Sequence, residues 1–143
     1  MTETNPSVIR GWVFYDAACE FCLRLARRAE HVLGSRGLLL EPLQTSDAAA
    51  RLKIAPTALM EQMHLLTADG RVFGGADAVV EIARRIWWAR PLAWLARVPG
   101  MRRVMRSLYA RVAANRYCAG GACRPPARRR TRRHGATSFF EMP

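Results

Sequence analysis

The chain has 143 residues, half of them apolar, which is enough for one domain with its own core and argues against a largely disordered chain. No run is long and apolar enough to span a bilayer, since the richest candidate, residues 86–96, carries Arg90 and Pro91 in its middle, and the polar opening 1–7 lacks the apolar core of a signal peptide; a cytoplasmic protein is expected. The net charge of +12 invites a nucleic-acid reading, yet 22 of the 23 basic residues are Arg, which reflects a compositional bias as much as a binding surface.

The first element is an apolar run, Val8-Ile9-Arg10-Gly11-Trp12-Val13-Phe14-Tyr15, which predicts a buried strand over about 8–14. Asp16 closes it, and Cys19-Glu20-Phe21-Cys22 follows directly. From 19 to 33 the pattern is helical, with Leu23, Ala26, Ala29 and Leu33 on one side and Arg24, Arg27, Arg28 and Glu30 on the others. The CxxC pair therefore falls where a strand turns into a helix. Unpaired amides and a partial positive charge in a first helical turn favour thiolate over thiol. The i, i+3 spacing puts both sulfurs on one side of that turn, within reach of a disulfide. Structural disulfides are rare in the cytoplasm, so a strand–CxxC–helix unit there points to dithiol exchange of the thioredoxin type.

Gly34 and Gly37 end the helix and open a short strand over 38–41. Ser46 is the expected N-cap of a helix running to Lys53. Met63-His64-Leu65-Leu66-Thr67 and Arg71-Val72-Phe73 flank Ala68-Asp69-Gly70, and Asp-Gly is a strong hairpin signal. Gly74-Gly75 leads into a helix over 76–88; a short helix over 91–98 and a longer one over 101–115 follow. In the last, Val104, Met105, Leu108, Tyr109 and Val112 form the face expected to pack as a helical appendix. The order β-α-β-α-β-β-α predicts an α/β, thioredoxin-like fold: a mixed four-stranded sheet with helices on both faces. Residues 1–7 and the Arg-rich tail 124–143 are expected to be disordered around one domain over 8–123. The tail holds six Arg against one Glu and no base-reading motif, so a solvated end is preferred to a nucleic-acid arm.

Four patches in order carry a family resemblance: Tyr15-Asp16-Ala17-Ala18-Cys19-Glu20-Phe21-Cys22; Met63-His64 leading to Asp69-Gly70-Arg71-Val72; Gly74-Gly75-Ala76-Asp77-Ala78; and Tyr109-Ala110-Arg111-Val112-Ala113-Ala114-Asn115-Arg116-Tyr117 with Cys123 beyond. With them the chain resembles the DCC family of thiol-disulfide oxidoreductases, named for an Asp-Cys-Cys signature. It departs at Ala17, where the family usually has Gly, and at Cys118. The resemblance implies a thioredoxin-like fold and dithiol exchange, and it supplies no substrate.

Within that frame Cys19, the more N-terminal and the expected more exposed sulfur, is read as the attacking thiol, and Cys22, turned inward, as the resolving one. Asp16 either takes the Cys22 proton or holds the loop. Glu20 opposes a thiolate beside it. Ile54-Ala55-Pro56-Thr57 imitates the cis-proline of thioredoxin-like sites but lies too early. Counting back from the hairpin puts Gln62-Met63-His64 in that place, with a trans peptide before His64, whose ring is either a local proton carrier or a strand residue held by packing. Gly75 and Asp77 resemble the segment with which glutaredoxins hold glutathione, against the plainer reading of a glycine turn with a first-turn acid. Cys118 and Cys123 read as a second redox pair or two separate thiols in preference to a zinc site shared with Cys19 and Cys22. No cofactor is implied. The expected partner is a protein or small-molecule disulfide or thiol, glutathione among the candidates. The alternative is a noncatalytic basic module that contacts nucleic acid or an anionic surface through its tail.

Overall fold

The computed structural model describes residues 8–116. The expected segments at either end, with Cys118, Cys123 and the Arg-rich tail, lie outside the described residues. Four strands, β1 (Gly11–Tyr15), β2 (Leu38–Pro42), β3 (His64–Thr67) and β4 (Val72–Gly74), form one sheet in the order β2-β1-β3-β4. β2 runs parallel to β1, with Gly11 opposite Leu38, while β3 is antiparallel to both β1 and β4. The parallel pair needs a crossover, and α1 (Glu20–Gly34) supplies it. The antiparallel pair β3–β4 needs only the turn at 68–71, where Gly70 takes φ +84 and donates its amide to the Thr67 carbonyl. This is the mixed four-stranded sheet of a thioredoxin-like α/β fold.

Alternation along the strands divides the core into two layers. Val13, Leu38 and Leu65 point to the side covered by α1 and by α4 (Gly75–Arg85), where Leu33, Ala78 and Ile86 meet them. Phe14 points to the other side and packs on Leu43, with Ala48 and Leu52 of α2 (Ala48–Leu52) and Leu59 of α3 (Pro56–Leu59). Arg51 lies over the rings of Trp12 and Phe14, at 4.9 and 5.1 Å, and pairs with Glu41, so its charge stays satisfied while its stem covers this layer. Leu65 is fully buried in the inner strand β3. Leu65→Ala is expected to cost about 2–5 kcal/mol, seen as a lower urea midpoint at unchanged slope; a loss below about 1 kcal/mol would contradict its central place.

Several boundaries differ from the sequence expectation. Residues 8–10 are not strand, although Arg10 donates its amide to the Gly37 carbonyl at 2.8 Å. Asp47, not Ser46, stands at the N-cap of α2 and makes no side-chain cap bond. Pro56 begins α3, where its missing N–H is not needed. The helix after Gly74 ends at Arg85, because Ile86 is extended (φ −108, ψ 116) to bury its side chain. A 3-10 turn (Trp87–Ala89) and α5 (Arg90–Leu95) follow, and Gly100, at φ +83, turns the chain into α6 (Met101–Asn115). Both α5 and α6 pack on α4. The face of α6 is narrower than expected: Met105 and Tyr109 are partly buried, whereas Val104, Leu108 and Val112 are exposed. Among the described residues no helix is long and apolar enough to cross a membrane.

Candidate active site

Cys19 is the N-cap of α1. Its backbone is extended (φ −93, ψ 112), and its Sγ accepts the Cys22 amide at 3.3 Å. The sulfur thus takes the position that Ser or Asp usually holds at a helix start, against the amides and the positive end of the dipole. Cys22, one turn on, is on the same side, and both are free thiols. The exposure expected from the sequence is reversed: Cys19 is only 1% exposed, and Cys22 is the partly accessible sulfur. The cause is the last turn of α6. The Cys19 thiol points at the Arg116 carbonyl, 4.0 Å away, across 97 residues of sequence.

Burial, a hydrogen bond with Cys19 and the negative charge of Cys19 push the Cys22 thiol up to about 12. The Arg116 guanidinium acts in the opposite direction, and Asp16 adds to the rise. Two of the four raising influences therefore come from the neighbouring sulfur.

Asp16 is buried at the end of β1. Its Oδ1 accepts the Ala18 amide at 3.0 Å and Gln44 Nε2 at 2.8 Å, and its carbonyl accepts the Cys19 amide at 3.3 Å. Gln44 Oε1 in turn accepts the Ala17 amide at 3.2 Å, so the loop between strand and dithiol is tied at both ends without a glycine after Asp16. Asp16 Oδ2 lies 3.9 Å from Arg116 Nη2, and that guanidinium also donates to the Met60 carbonyl. Glu20 projects into solvent and pairs with Arg24 at 3.9 Å.

The segment expected to stand in for a cis-proline is split by strand alternation. Met63 belongs to the layer that α1 covers, and its amide receives no strand partner; instead it donates to Tyr109 Oη at 3.0 Å, while its carbonyl accepts the Gly75 amide. His64, paired with Phe14 in the register, is buried, and its Nε2 meets the Leu59 carbonyl at 3.1 Å. Its Nδ1 has no hydrogen-bond partner among the described residues. No described peptide bond is cis, the one before His64 included, and Pro56 sits in α3 away from this segment's role. Tyr109, raised chiefly by burial, also feels the charges of Arg116 and Cys22. Tyr109 and Arg116 are seven residues apart, two turns of one helix face. They join Met63, Met60, Asp16 and the dithiol into one cluster, and their joint role was not drawn from the sequence although both stand in the fourth patch above. Gln44 carried no sequence signal.

Gly75 and Asp77 are drawn into other contacts. Gly75 takes φ +53 at the start of α4, and a Cβ there would meet the Tyr109 ring and the Gln62 side chain. Asp77 Oδ2 pairs with Arg106 at 2.8 Å. The groove between β4 and α4 that Asp77 lines, with Phe73 and Arg84, contains none of the dithiol cluster.

Burial lowers the pKa of His64. An imidazole in the unfolded chain titrates near about 6.5. As pH falls through that value the unfolded chain takes up the proton before the folded one, so stability is full above it and declines below it until the folded ring titrates too. Urea midpoints at about pH 7 and about pH 5 should therefore differ more in the native protein than in His64→Gln. Equal pH dependence in the two would contradict a neutral, buried His64.

No curated protein and no solved structure matches the chain. A family model for DCC1-like thiol-disulfide oxidoreductases matches residues 13–122, from β1 through the dithiol and the hairpin to beyond α6, and the chain belongs to that family.

Proposed function

We propose that the protein exchanges disulfides on proteins or small thiols, with Cys19 as the attacking sulfur and Cys22 as the resolving one. The observation that carries this reading is the asymmetry of two thiols on one helical turn. Cys19 Sγ accepts the amide at the helix start, while Cys22 is pushed up to about 12. Burial and the neighbouring sulfur hold Cys22 in its protonated form, so Cys22 does not begin the exchange. Cys19 does, once a substrate disulfide displaces the last turn of α6 from above it. The Arg116 carbonyl sits against the sulfur, so moving it away uncovers Cys19 to a substrate disulfide.

Cys19 thiolate attacks one substrate sulfur, a Cys19–substrate disulfide forms, and the other sulfur leaves as a thiolate. Cys19 now carries no charge and no longer accepts the Cys22 proton's hydrogen bond, which removes two of the influences that hold Cys22 protonated. Cys22 loses its proton to the carboxylate of Asp16 or to water, attacks Cys19 Sγ and expels the second substrate thiolate. The substrate disulfide gains two electrons, which the dithiol gives up, and the protein is left with a Cys19–Cys22 disulfide that an external thiol reductant reopens. In this reading the compartment is the cytoplasm, whose thiol pools supply that reductant. Glutathione fits as reductant by exchange at sulfur, without a carboxylate pocket at Gly75 and Asp77.

The reading is tested by equilibrating the protein with thiol–disulfide buffers of graded potential and counting free thiols. A reversible two-electron couple that vanishes in both Cys19→Ser and Cys22→Ser supports it. Thiols that stay reduced at every poise, or that oxidise only between molecules, overturn it.

A further inference from the structure

The segment from 86 to 116 contains seven Arg and not one Asp or Glu, unlike the rest of the domain, where carboxylates are interspersed. It also exposes large apolar side chains. On α5 and its C-cap only Ala93 and Ala96 turn inward, onto Val80 and Ala83 of α4. Trp94, 68% exposed, lies on the opposite side, with Leu95 and Val98 beside it, and Trp87 in the preceding turn is 69% exposed. Trp88 is more than half exposed as well. On α6, Val104, Leu108 and Val112 repeat every four residues and form one exposed stripe beside the line of Met105 and Tyr109. Arg90, Arg97, Arg103 and Arg111 are exposed on the same elements.

We propose that α5, α6 and the 3-10 turn before them dock the protein on the surface of an anionic phospholipid bilayer. Indole rings partition to the headgroup level, aliphatic side chains reach the acyl boundary, and Arg pairs with phosphate while its stem lies along apolar surface. A region with no carboxylate meets no repulsion from an anionic leaflet. The helices are too short to span, so the protein lies on the bilayer. Nucleic acid would satisfy the arginines, but it would leave the Val104, Leu108 and Val112 stripe in water.

The test uses the full chain and vesicles of phosphatidylcholine with or without phosphatidylglycerol. Co-sedimentation should be at least about tenfold stronger with the anionic lipid and should weaken as salt rises. Brominated acyl chains should quench a large part of the tryptophan fluorescence, since Trp12 alone of the four is partly buried against the core and the other three are exposed. The triple variant Trp87→Ser, Trp88→Ser, Trp94→Ser should lose about tenfold or more in partitioning and nearly all quenching. The three side chains are exposed, so the fold is expected to persist, and circular dichroism checks it; should the variant misfold, the bromolipid quenching of the native chain decides alone. Binding that is unchanged in the triple variant would assign the attraction to charge elsewhere in the chain and overturn the proposal. So would absent quenching, or single- or double-stranded DNA that binds and releases the protein from the vesicles with the indoles still unquenched in its presence and absence.

Discussion

Cys19→Ser is expected to reduce turnover of a model disulfide by about 10³-fold or more, because it removes the proposed nucleophile and leaves a neighbour that burial and Asp16 still hold towards the protonated form. Cys22→Ser is expected to fail differently. The first attack remains possible, and the mixed disulfide then persists because nothing displaces the substrate. Turnover assays separate the two: a single stoichiometric release of thiol from Cys22→Ser, and no release from Cys19→Ser. The same experiment run against pH carries a sign. Cys22 must lose its proton for the resolving step, and burial still opposes that loss in the mixed disulfide, so release of the second thiol should speed up as pH rises above neutrality. Full activity in Cys19→Ser would overturn the assignment of nucleophile.

The second large effect concerns Asp16 and Arg116. Both are buried, with Arg116 8% exposed, and the carboxylate and guanidinium are 3.9 Å apart. Removing one member of a buried charged pair strands the other, which typically costs about 3–5 kcal/mol. Arg116→Ala should therefore lower Tm by at least about 10 °C. It should also slow resolution, because the guanidinium is the influence that lowers the Cys22 pKa, so mixed disulfide accumulates even with both cysteines present. Arg116→Lys keeps the charge and should recover part of the resolution rate while recovering little of the contact to the Met60 carbonyl. Asp16→Asn keeps an acceptor for Ala18 and Gln44 but loses the charge, and should fall between native and Arg116→Ala in stability. A loss below about 1 kcal/mol in Arg116→Ala would contradict a buried, structurally required pair.

What the sequence made legible was local. The apolar run over 8–15, the Asp-Gly turn and the amphipathic run after Cys22 are each local signals, so the order of elements along the chain, the hairpin and the strand–dithiol–helix unit could be read directly. The position of Pro56 could be excluded by counting, and it begins α3. The bounds of α6 were legible because Gly100 and the periodicity mark both ends, but its packing was not. Which stripe turns inward depends on where α4 lies, and the exposed Val104, Leu108 and Val112 would satisfy a helical pattern equally well. The exposure of Cys19 was misjudged for the same reason. In isolation a helix N-cap is open to solvent, and only the return of Arg116 across 97 residues of sequence closes it. Gln44 has no periodic or compositional signature, since one amide that bridges Asp16 and Ala17 looks in the sequence like any loop glutamine. The pairing of Met63 with Tyr109 instead of with a strand is likewise a tertiary event.

In the proposed exchange the buried sulfur of Cys19 attacks and the more accessible sulfur of Cys22 resolves. This order is tested most directly by mixing Cys22→Ser with a slight excess of a chromogenic aryl disulfide, quenching in acid, and locating the adduct by peptide mass spectrometry, with Cys19→Ser treated in parallel. The account predicts one aryl group per chain on Cys19, formed faster when Arg116 is also replaced by Ala and the cover over the sulfur is loosened. An adduct that forms on Cys22 in Cys19→Ser as fast as on Cys19 in Cys22→Ser would contradict it.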